Sequence, residues 1–481
     1  MLKQMPREFD QLAPSNSAGN PAKREDTQVK PTSASRTEML ITALFLLLPA
    51  TLFYTILLRK AVNIPNLDDY DTLLGFLNQW VQCKGIAAKV TWFLASQNSE
   101  FKLFFLHGVA CLQHGLSGHI NFKTLGAIAN GLILLLAVLL WKMFLPTHEN
   151  LATRMALFIP VPWLIFQLQY WDDLNWATPG LQHVAVLVFS FATIWLLVQG
   201  KGPQFYGALA CFILAIFSDG NGLLMIPIGS LILISSRRYI YMAGWLVAST
   251  GCVAVYAYHY SAILSPTGVH RSVFSVVLQL RPDYVLCCIG GAVGLIFPSG
   301  AASFLLGILL CAFFVWMAYR GYIRRNPAVS CCVLFLLLTA VGVAGLRSDL
   351  GVAQSLTSRY TIYSALFLVF AWVAIVEEFL QHKRVPLLNN GIFLGAVTAA
   401  VLFSLIMDLA GATVIEERNR RLVQAMAEFE HPTMQQPEPL PSPPYSVPGP
   451  HGESEELPLR ARFRALLIQS MDLGVYRPPS L

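Results

Sequence analysis

Long apolar runs constrain this chain more than any other feature. About eleven of them follow one another between residues 39 and 411, and a helix needs about 20 apolar residues to cross ~30 Å of hydrocarbon. Only 12% of the 481 residues are charged, against about 25% in a soluble globular domain. These features exclude an ordinary soluble enzyme and a disordered chain. They predict an all-α polytopic membrane protein with about 11 transmembrane helices.

The spans form one predicted transmembrane domain, residues 39–411. A long external loop, 59–125, separates the first span from the second, and it contains polar as well as apolar stretches. The predicted spans are, in chain order, 39–58, 126–145, 155–170, 179–199, 205–218, 222–236, 240–258, 302–320, 328–346, 360–379 and 389–411.

The basic residues indicate how these spans are oriented. Six Lys and Arg residues precede the first span and place the N-terminus in the cytoplasm by the positive-inside rule. A crossing at 284–297 would move Arg320, Arg324 and Arg325 outside, so we interpret that segment as a short re-entrant or interfacial piece. The C-terminus is then external, and an even number of spans is the main alternative. Because helix ends account for the basic residues, the net charge of +6 does not indicate nucleic-acid binding.

Two tails flank the membrane domain. Residues 1–38 are polar and predict a disordered cytoplasmic tail. Residues 412–481 predict an external tail, in which 412–430 look helical and solvated. Eight prolines make 431–450 an extended linker, and the spacing of apolar residues predicts an amphipathic helix over 453–472. That helix either packs on the outer surface of the membrane domain or stays solvated.

The first external loop carries an acidic cluster, Asp68, Asp69 and Asp71, just beyond the first span. The apolar residues that follow predict an amphipathic helix lying in the membrane interface. A carboxylate at this depth can take a proton from an acceptor hydroxyl, or it can bind a divalent cation. The alternative is a helix N-cap with solvated acids.

A second polar cluster in the loop contains Glu100, Lys102 and His107. It enters the segment 101–116, which predicts a second interfacial helix. Glu100 and His107 are seven residues apart and therefore share one helical face, where they could contact a substrate. The alternative is that the histidine satisfies polar groups at the interface.

Two later loops complete the set of candidate residues. Trp171, Asp172 and Trp176 lie in a predicted external turn, where they either anchor membrane depth or contact a sugar. Arg347 and Arg359 flank a later external loop. An external arginine either binds a lipid phosphate through its planar fork or simply extends to the head groups.

This arrangement resembles the GT-C class of multi-spanning glycosyltransferases that use lipid-phosphate sugars. The resemblance covers residues 39–411 and rests on Asp68 and Asp69 in a long first external loop, on two interfacial helices, and on Ser358–Arg359–Tyr360 in a late external loop. It implies transfer of a hexose-type sugar from a polyprenyl-phosphate donor to an envelope glycan or lipid. The reaction would face the periplasm, in a bacterial inner membrane.

The resemblance also implies roles for individual residues. Asp68 or Asp69 would be the catalytic base or a metal ligand, with a divalent cation left open, and Arg347, Arg359 and Lys102 would hold the donor phosphate. If one site serves both groups, we expect a carboxylate about 6–12 Å from the guanidinium of Arg359. Two alternatives remain: a transporter or flippase of lipid-linked sugars, and an O-antigen polymerase or ligase. No glycine-rich phosphate loop is visible.

Overall fold

The computed structural model describes residues 36–98, 101–144, 150–200, 202–260, 280–381, 391–430 and 456–479. Within these ranges the chain is helical and contains no β-strand, only two isolated bridges. Nine helices in the described ranges are long and apolar enough to cross a membrane. The prediction of an all-α polytopic membrane protein is confirmed at this level.

The first half of the chain contains a π-helical turn, Tyr70–Gly75, in the first loop, and a second π-helical turn, Gly180–Val184, before α10. Its α-helices are α1 (Arg36–Lys60), α2 (Phe76–Gln82), α3 (Ile86–Ala95), α4 (Phe104–Ser117), α5 (Phe122–Met143), α6 (Leu151–Phe158), α7 (Pro160–Ile165), α8 (Trp171–Asn175), α9 (Ala177–Pro179), α10 (Ala185–Gln199) and α11 (Gly202–Ile216).

The second half continues the bundle. Its α-helices are α12 (Met225–Ser235), α13 (Tyr239–Ala257), α14 (Pro282–Ile289), α15 (Ala301–Tyr319), α16 (Tyr322–Arg325), α17 (Pro327–Arg347), α18 (Ser358–Gln381), α19 (Gly391–Glu430) and α20 (Glu456–Asp472).

The predicted spans all coincide with apolar helices. Two of these helices, Gly202–Ile216 and Gly220–Ser235, are shorter than the nine, so the count of 11 spans remains a prediction. The segment 284–297 contains only the eight-residue α14 and a single further turn, Gly291–Val293. At 1.5 Å per residue α14 is about 12 Å long, less than half of the ~30 Å hydrocarbon thickness, which favours a non-crossing segment.

The third predicted span is broken where α7 ends. Phe166 and Gln167 leave the helical conformation, and the chain resumes as α8. Asp408 of α19 satisfies a backbone group that this break leaves without a helical partner, since its Oδ1 accepts a hydrogen bond from the buried Leu168 N–H at 2.9 Å. Gly411 permits this close packing, because a Cβ there would lie 2.3 Å from the carbonyl oxygen of Leu168. Helix α19 thereby holds α8 in place.

Helix α19 is one continuous element of 40 residues. At about 60 Å it is twice the length of a crossing and must extend well beyond the hydrocarbon. The expectation of a solvated segment at 412–430 is wrong for one face, because Ile415, Asn419 and Met426 are buried. This extension carries Arg418, a residue of the candidate functional site.

The C-terminal helix α20 packs on the first external loop. The rings of Tyr70 and Phe463 stack at 4.5 Å, and Arg462 binds Asp71 at 2.7 Å. Beyond the helix, the Tyr476 hydroxyl donates to the Asn63 carbonyl at 2.6 Å. Of the two alternatives for this helix, the structure has the packed one. The N-terminal tail up to residue 35 and the proline-rich linker lie outside the described residues.

Candidate functional site

Charged and aromatic side chains converge where the first loop, α8, the π-helical turn Gly180–Val184 and helices α17, α18 and α19 come together. They come from seven separate parts of the chain, and several are buried. The cluster, called here the polar site, contains Asp68, Asp69, Trp171, Asp172, Asp173, Trp176, His183, Asp219, Arg347, Arg359 and Arg418.

Two guanidinium groups lie against the indole of Trp176. The Cζ of Arg359 lies 5.6 Å from the ring centroid and that of Arg418 lies 5.3 Å from it. Arg418 also lies 5.6 Å from the ring of Trp171. Trp176 is 3% exposed, so it serves to position two cations rather than to face the bilayer as an anchor.

Both arginines retain unsatisfied donors. Nε of Arg359 and both terminal nitrogens of Arg418 are buried and make no hydrogen bond within the described part of the chain. The nearest acid to Arg418, Asp172, lies 4.0 Å from Nη1, too far for a hydrogen bond. An arginine carries five donors in a planar fork, and leaving buried donors unpaired is costly. This arrangement suits an anion that accepts two hydrogen bonds at once, such as a phosphate.

Asp69 is the buried member of the acidic pair and is already fully engaged. Its Oδ1 accepts from the Thr178 N–H at 3.0 Å and from the Thr178 hydroxyl at 2.6 Å, and its Oδ2 accepts from the Asn66 N–H at 3.1 Å. The side chain is 1% exposed. Asp69 therefore ties the first loop to α9 through hydrogen bonds to both of its oxygens.

Asp68, the neighbouring acid, is exposed. Partial desolvation raises the pKa of its carboxyl, and the positive charges of Arg359 and then Arg347 oppose that rise. The charges of both arginines therefore act on Asp68, and the separation of about 6–12 Å stays a prediction. An accessible carboxylate with a raised pKa suits a general base. Of the two predicted acids, Asp68 is the one whose geometry allows chemistry.

The buried carboxyl of Asp69 should make the stability of the folded protein depend on pH. Burial raises its pKa from 3.8 to about 7, against the opposing hydrogen bonds from Thr178 and Asn66. Because the folded-state pKa is the higher one, the stabilisation is complete below about pH 4 and is lost as the pH rises through about 7. We expect the unfolding temperature to fall between pH 5 and 8, by a few degrees through this group.

The measurement is thermal unfolding of the purified protein in detergent at pH 5 and pH 8. The Asp69→Asn variant has no titratable proton at this position. Its unfolding temperature should therefore fall less between pH 5 and pH 8 than that of the wild type. Equal falls in the two proteins would contradict the assignment.

Asp172 and Asp173 of α8 form hydrogen bonds to other elements of the polar site. The Asp172 N–H donates to Ser358 Oγ at 2.9 Å, which joins α8 to the start of α18 beside Arg359. Asp173, fully buried, contacts Nδ1 of His183 at 2.8 Å. Gly180 is required there, because a Cβ would lie 2.3 Å from the Asp173 carbonyl oxygen. Asp172 is thus in the polar site, while its contact with substrate remains a prediction.

Sequence reasoning missed four members of the polar site, namely Asp173, His183, Asp219 and Arg418. Asp219 accepts from the Gln182 amide at 3.0 Å and is 8% exposed, although the sequence showed only a turn there. Arg418 lies in a highly charged stretch that looks solvated. A signal did exist, since Arg418 follows Ile415 by three residues and precedes Leu422 by four, which puts all three on one helical face.

Lys102 and His107 lie apart from the arginines. Nζ of Lys102 donates to the carbonyls of Leu94, Ala95 and Tyr258 at 3.0, 3.0 and 2.9 Å. All three of its donors are used to close the ends of α3 and α13, and the side chain is 0% exposed. The structure thus corrects the expectation that Lys102 binds a phosphate, since it has no donor left for one.

We expect Lys102→Met to destabilise the fold rather than to change ligand binding. Three carbonyls would lose a charged donor, at a cost of about 2–5 kcal/mol. Thermal unfolding would show the loss, while the affinity of the remaining folded protein for a lipid phosphate should stay unchanged. A selective loss of affinity without destabilisation would contradict this reading.

His107 is packed into the core of the first loop. Its ring stacks on Phe76 at a centroid distance of 3.8 Å, and Nδ1 lies 3.1 Å from Ser96 Oγ. Burial lowers the pKa of His107 to about 3, so it is neutral at physiological pH. The side chain is 2% exposed, which corrects the expectation that it contacts a substrate. Glu100, its predicted partner, lies outside the described residues.

The polar site combines two arginines that have unpaired donors with one exposed carboxylate. Within the described ranges, no group of three His, Cys, Asp or Glu side chains is arranged to hold a metal ion. The arrangement could support proton transfer at Asp68 beside an anion held by the two arginines. No protein-family model matches the chain, and searches among curated proteins and among solved structures found no match either.

Proposed function

We propose that this protein is a membrane glycosyltransferase of the GT-C type. It transfers a hexose-type sugar from a polyprenyl-phosphate donor to an envelope glycan or lipid, on the periplasmic face of a bacterial inner membrane. The observation that supports this most is the pair of incompletely hydrogen-bonded arginines, Arg359 and Arg418, which lie 5.6 and 5.3 Å from the Trp176 ring centroid, with the charge of Arg359 acting on Asp68.

The chemistry follows from these positions. The donor phosphate binds between the guanidinium groups of Arg359 and Arg418, which offer the donors that a phosphate needs. Trp171 and Asp172 border the same space and are the candidates to contact the sugar. Asp68 accepts the proton of the acceptor hydroxyl, and the oxygen attacks the anomeric carbon.

The bond between the anomeric carbon and the phosphate oxygen then breaks. Its electron pair goes to the leaving phosphate, where the two arginines stabilise the growing charge. Attack from the side opposite the phosphate inverts the anomeric centre. This reaction needs neither a nucleotide nor a redox cofactor.

The alternatives make different demands on the same residues. A flippase would move the lipid-linked sugar across a bilayer without breaking the bond to phosphate. A polymerase or ligase that relies on arginines would need Arg347 and Arg359 but not the acids of the first loop. The chemical fate of the labelled lipid and the response to Asp68 variants therefore separate the three functions.

The decisive experiment uses two arms. In the first, envelope glycans are profiled with and without this gene, and the loss of one sugar residue identifies donor and acceptor. In the second, proteoliposomes receive the corresponding polyprenyl-phosphate sugar, radiolabelled in the sugar, together with the acceptor. Transfer of label supports the proposal, whereas movement of intact lipid to the opposite leaflet would replace it with a flippase.

A further inference from the structure

The C-terminal segment, which is α20 together with the residues up to 479, contacts the first loop on both sides of Asp68. Before Asp68, the contacts are at Asn63. The Tyr476 hydroxyl donates to the Asn63 carbonyl at 2.6 Å, and the Asn63 side-chain amide donates to the Arg477 carbonyl at 3.1 Å. The C-terminal segment therefore holds the loop at a point close to the end of α1.

After Asp68, the same segment contacts the π-helical turn. The ring of Phe463 stacks on that of Tyr70, with the centroids 4.5 Å apart and the planes 11° from parallel. A Cβ at Gly75 would lie 3.7 Å from Cδ2 of Leu466, so the helix packs directly on this turn. Asp68 thus lies between two points at which the C-terminal segment holds the first loop.

Buried side chains anchor the C-terminal segment on the loop. Tyr476 is 1% exposed, and Leu467 and Val475 are buried with it in the apolar core of the first loop. The ring of Tyr476 meets that of Phe122 edge-on at 5.6 Å, and the Ile120 N–H donates to the Val475 carbonyl at 2.8 Å. Apolar burial and hydrogen bonds both stabilise this docking, so the segment is part of the folded unit.

The backbone next to Asp68 needs support from such contacts. Leu67 has a φ of 36°, in the left-handed region that a leucine rarely adopts, and such a conformation persists only where the surroundings fix it. The side chain of Leu67 is 50% exposed, so its own packing provides little of that support. A tight turn follows, in which the Asp69 N–H donates to the Asn66 carbonyl at 2.8 Å and the Tyr70 N–H donates to the Leu67 carbonyl at 3.1 Å.

We infer that the C-terminal segment is a positioning element for Asp68. Asp69 ties the loop to α9, and Tyr476 and Phe463 supply two further points, one on each side of the turn. Together they keep the Asp68 carboxylate where it can take the proton of the acceptor hydroxyl. Phe463 and Tyr476 are positioning residues, since neither belongs to the polar site. This inference rests on the proposed function, in which Asp68 is the base.

The first readout is amide hydrogen exchange of the full-length protein in nanodiscs. Phe463→Ala removes the ring stack, and exchange within 66–72 should rise by about tenfold because the hydrogen bonds of the turn open more often. Tyr476→Phe keeps the ring packed and loses only the bond to Asn63, so the rise should be smaller, about threefold. Phe463→Trp keeps an aromatic ring and should restore wild-type exchange. The matched control is Ile468→Ala, on the same helix, where the side chain is 43% exposed.

The second readout is sugar transfer, with thermal unfolding to show that each variant is folded under the assay conditions. In Phe463→Ala, kcat should fall by about tenfold or more, since a displaced base loses part of its contribution of about 10²–10⁴-fold. The KM for the donor should change by less than about twofold, because Arg359 and Arg418 hold the phosphate in the proposed site. A general loss of structure would not separate kcat from KM in this way.

Three results would overturn the inference: unchanged exchange within 66–72 in Phe463→Ala, raised exchange with an unchanged kcat, or an equal rise in Ile468→Ala. Hydrogen exchange does not depend on sugar transfer. A wild-type protein that transfers no sugar would therefore reject the proposed function, while the exchange data would still decide whether the C-terminal segment orders the loop around Asp68.

Discussion

Arg359→Ala and Arg418→Ala, as single variants, should each lower the rate of sugar transfer by about 10²-fold or more. This is the usual effect of removing one donor that stabilises developing charge in the transition state. Both guanidinium groups face Trp176 and have donors without partners, so each loses a contact with the phosphate rather than a structural bond. The measurement is kcat with a polyprenyl-phosphate sugar in proteoliposomes.

The chain provides a matched control for Arg418. Arg420 lies on the same helix, its side chain is 73% exposed and it pairs with Glu417, so Arg420→Ala should keep full activity. Arg418→Lys restores the charge without the planar fork and should recover only part of the rate. If Arg418→Ala transferred sugar at the wild-type rate, the phosphate would have to bind elsewhere.

Asp68→Asn should abolish detectable transfer and leave the fold intact. A general base contributes about 10²–10⁴-fold, and an amide cannot accept the proton. Because Asp68 is exposed, the substitution removes no packing and should not change the unfolding temperature. The assay is the same transfer reaction, run beside thermal unfolding.

Asp69→Asn is the matched comparison, one residue away. Its oxygens accept three hydrogen bonds, and an amide would place a donor against the Asn66 N–H or against Thr178. We therefore expect its effect to appear first as destabilisation. Full activity in both single variants and in the double variant would reject a base in this acidic pair.

The membrane helices could be predicted from the chain alone. A run of about 20 apolar residues is recognisable locally, because the cost of leaving backbone unpaired in hydrocarbon forces such a run into a helix. The same reasoning identified the first loop, Arg347, Arg359 and the tryptophans at 171 and 176 as candidates. It also predicted a short re-entrant or interfacial piece at 284–297, where the structure has part of α14 and a single further turn, and its relation to the membrane stays a prediction.

Individual roles could not be predicted in this way. Asp68 and Asp69 are adjacent and chemically identical, and what distinguishes them is Thr178, which lies 109 residues from Asp69 along the chain. Lys102 was expected to bind a phosphate, but one of its hydrogen-bond acceptors is the carbonyl of Tyr258, 156 residues away along the chain. The residues next to Lys102 in the sequence do not indicate this partner. Polar side chains are satisfied by partners that only packing brings together.

Long apolar runs therefore determined where this protein forms its membrane helices, because each helix satisfies its own backbone. The site residues that were expected in loops, such as Trp171 and Arg359, lie in helices α8 and α18. Tertiary structure alone decided which polar groups share a site. Arg418 is the clearest case, since it reaches Trp171 and Trp176 only because α19 continues beyond the hydrocarbon and packs on the break at Leu168. That placement depends on contacts between segments about 240 residues apart, which no local pattern encodes.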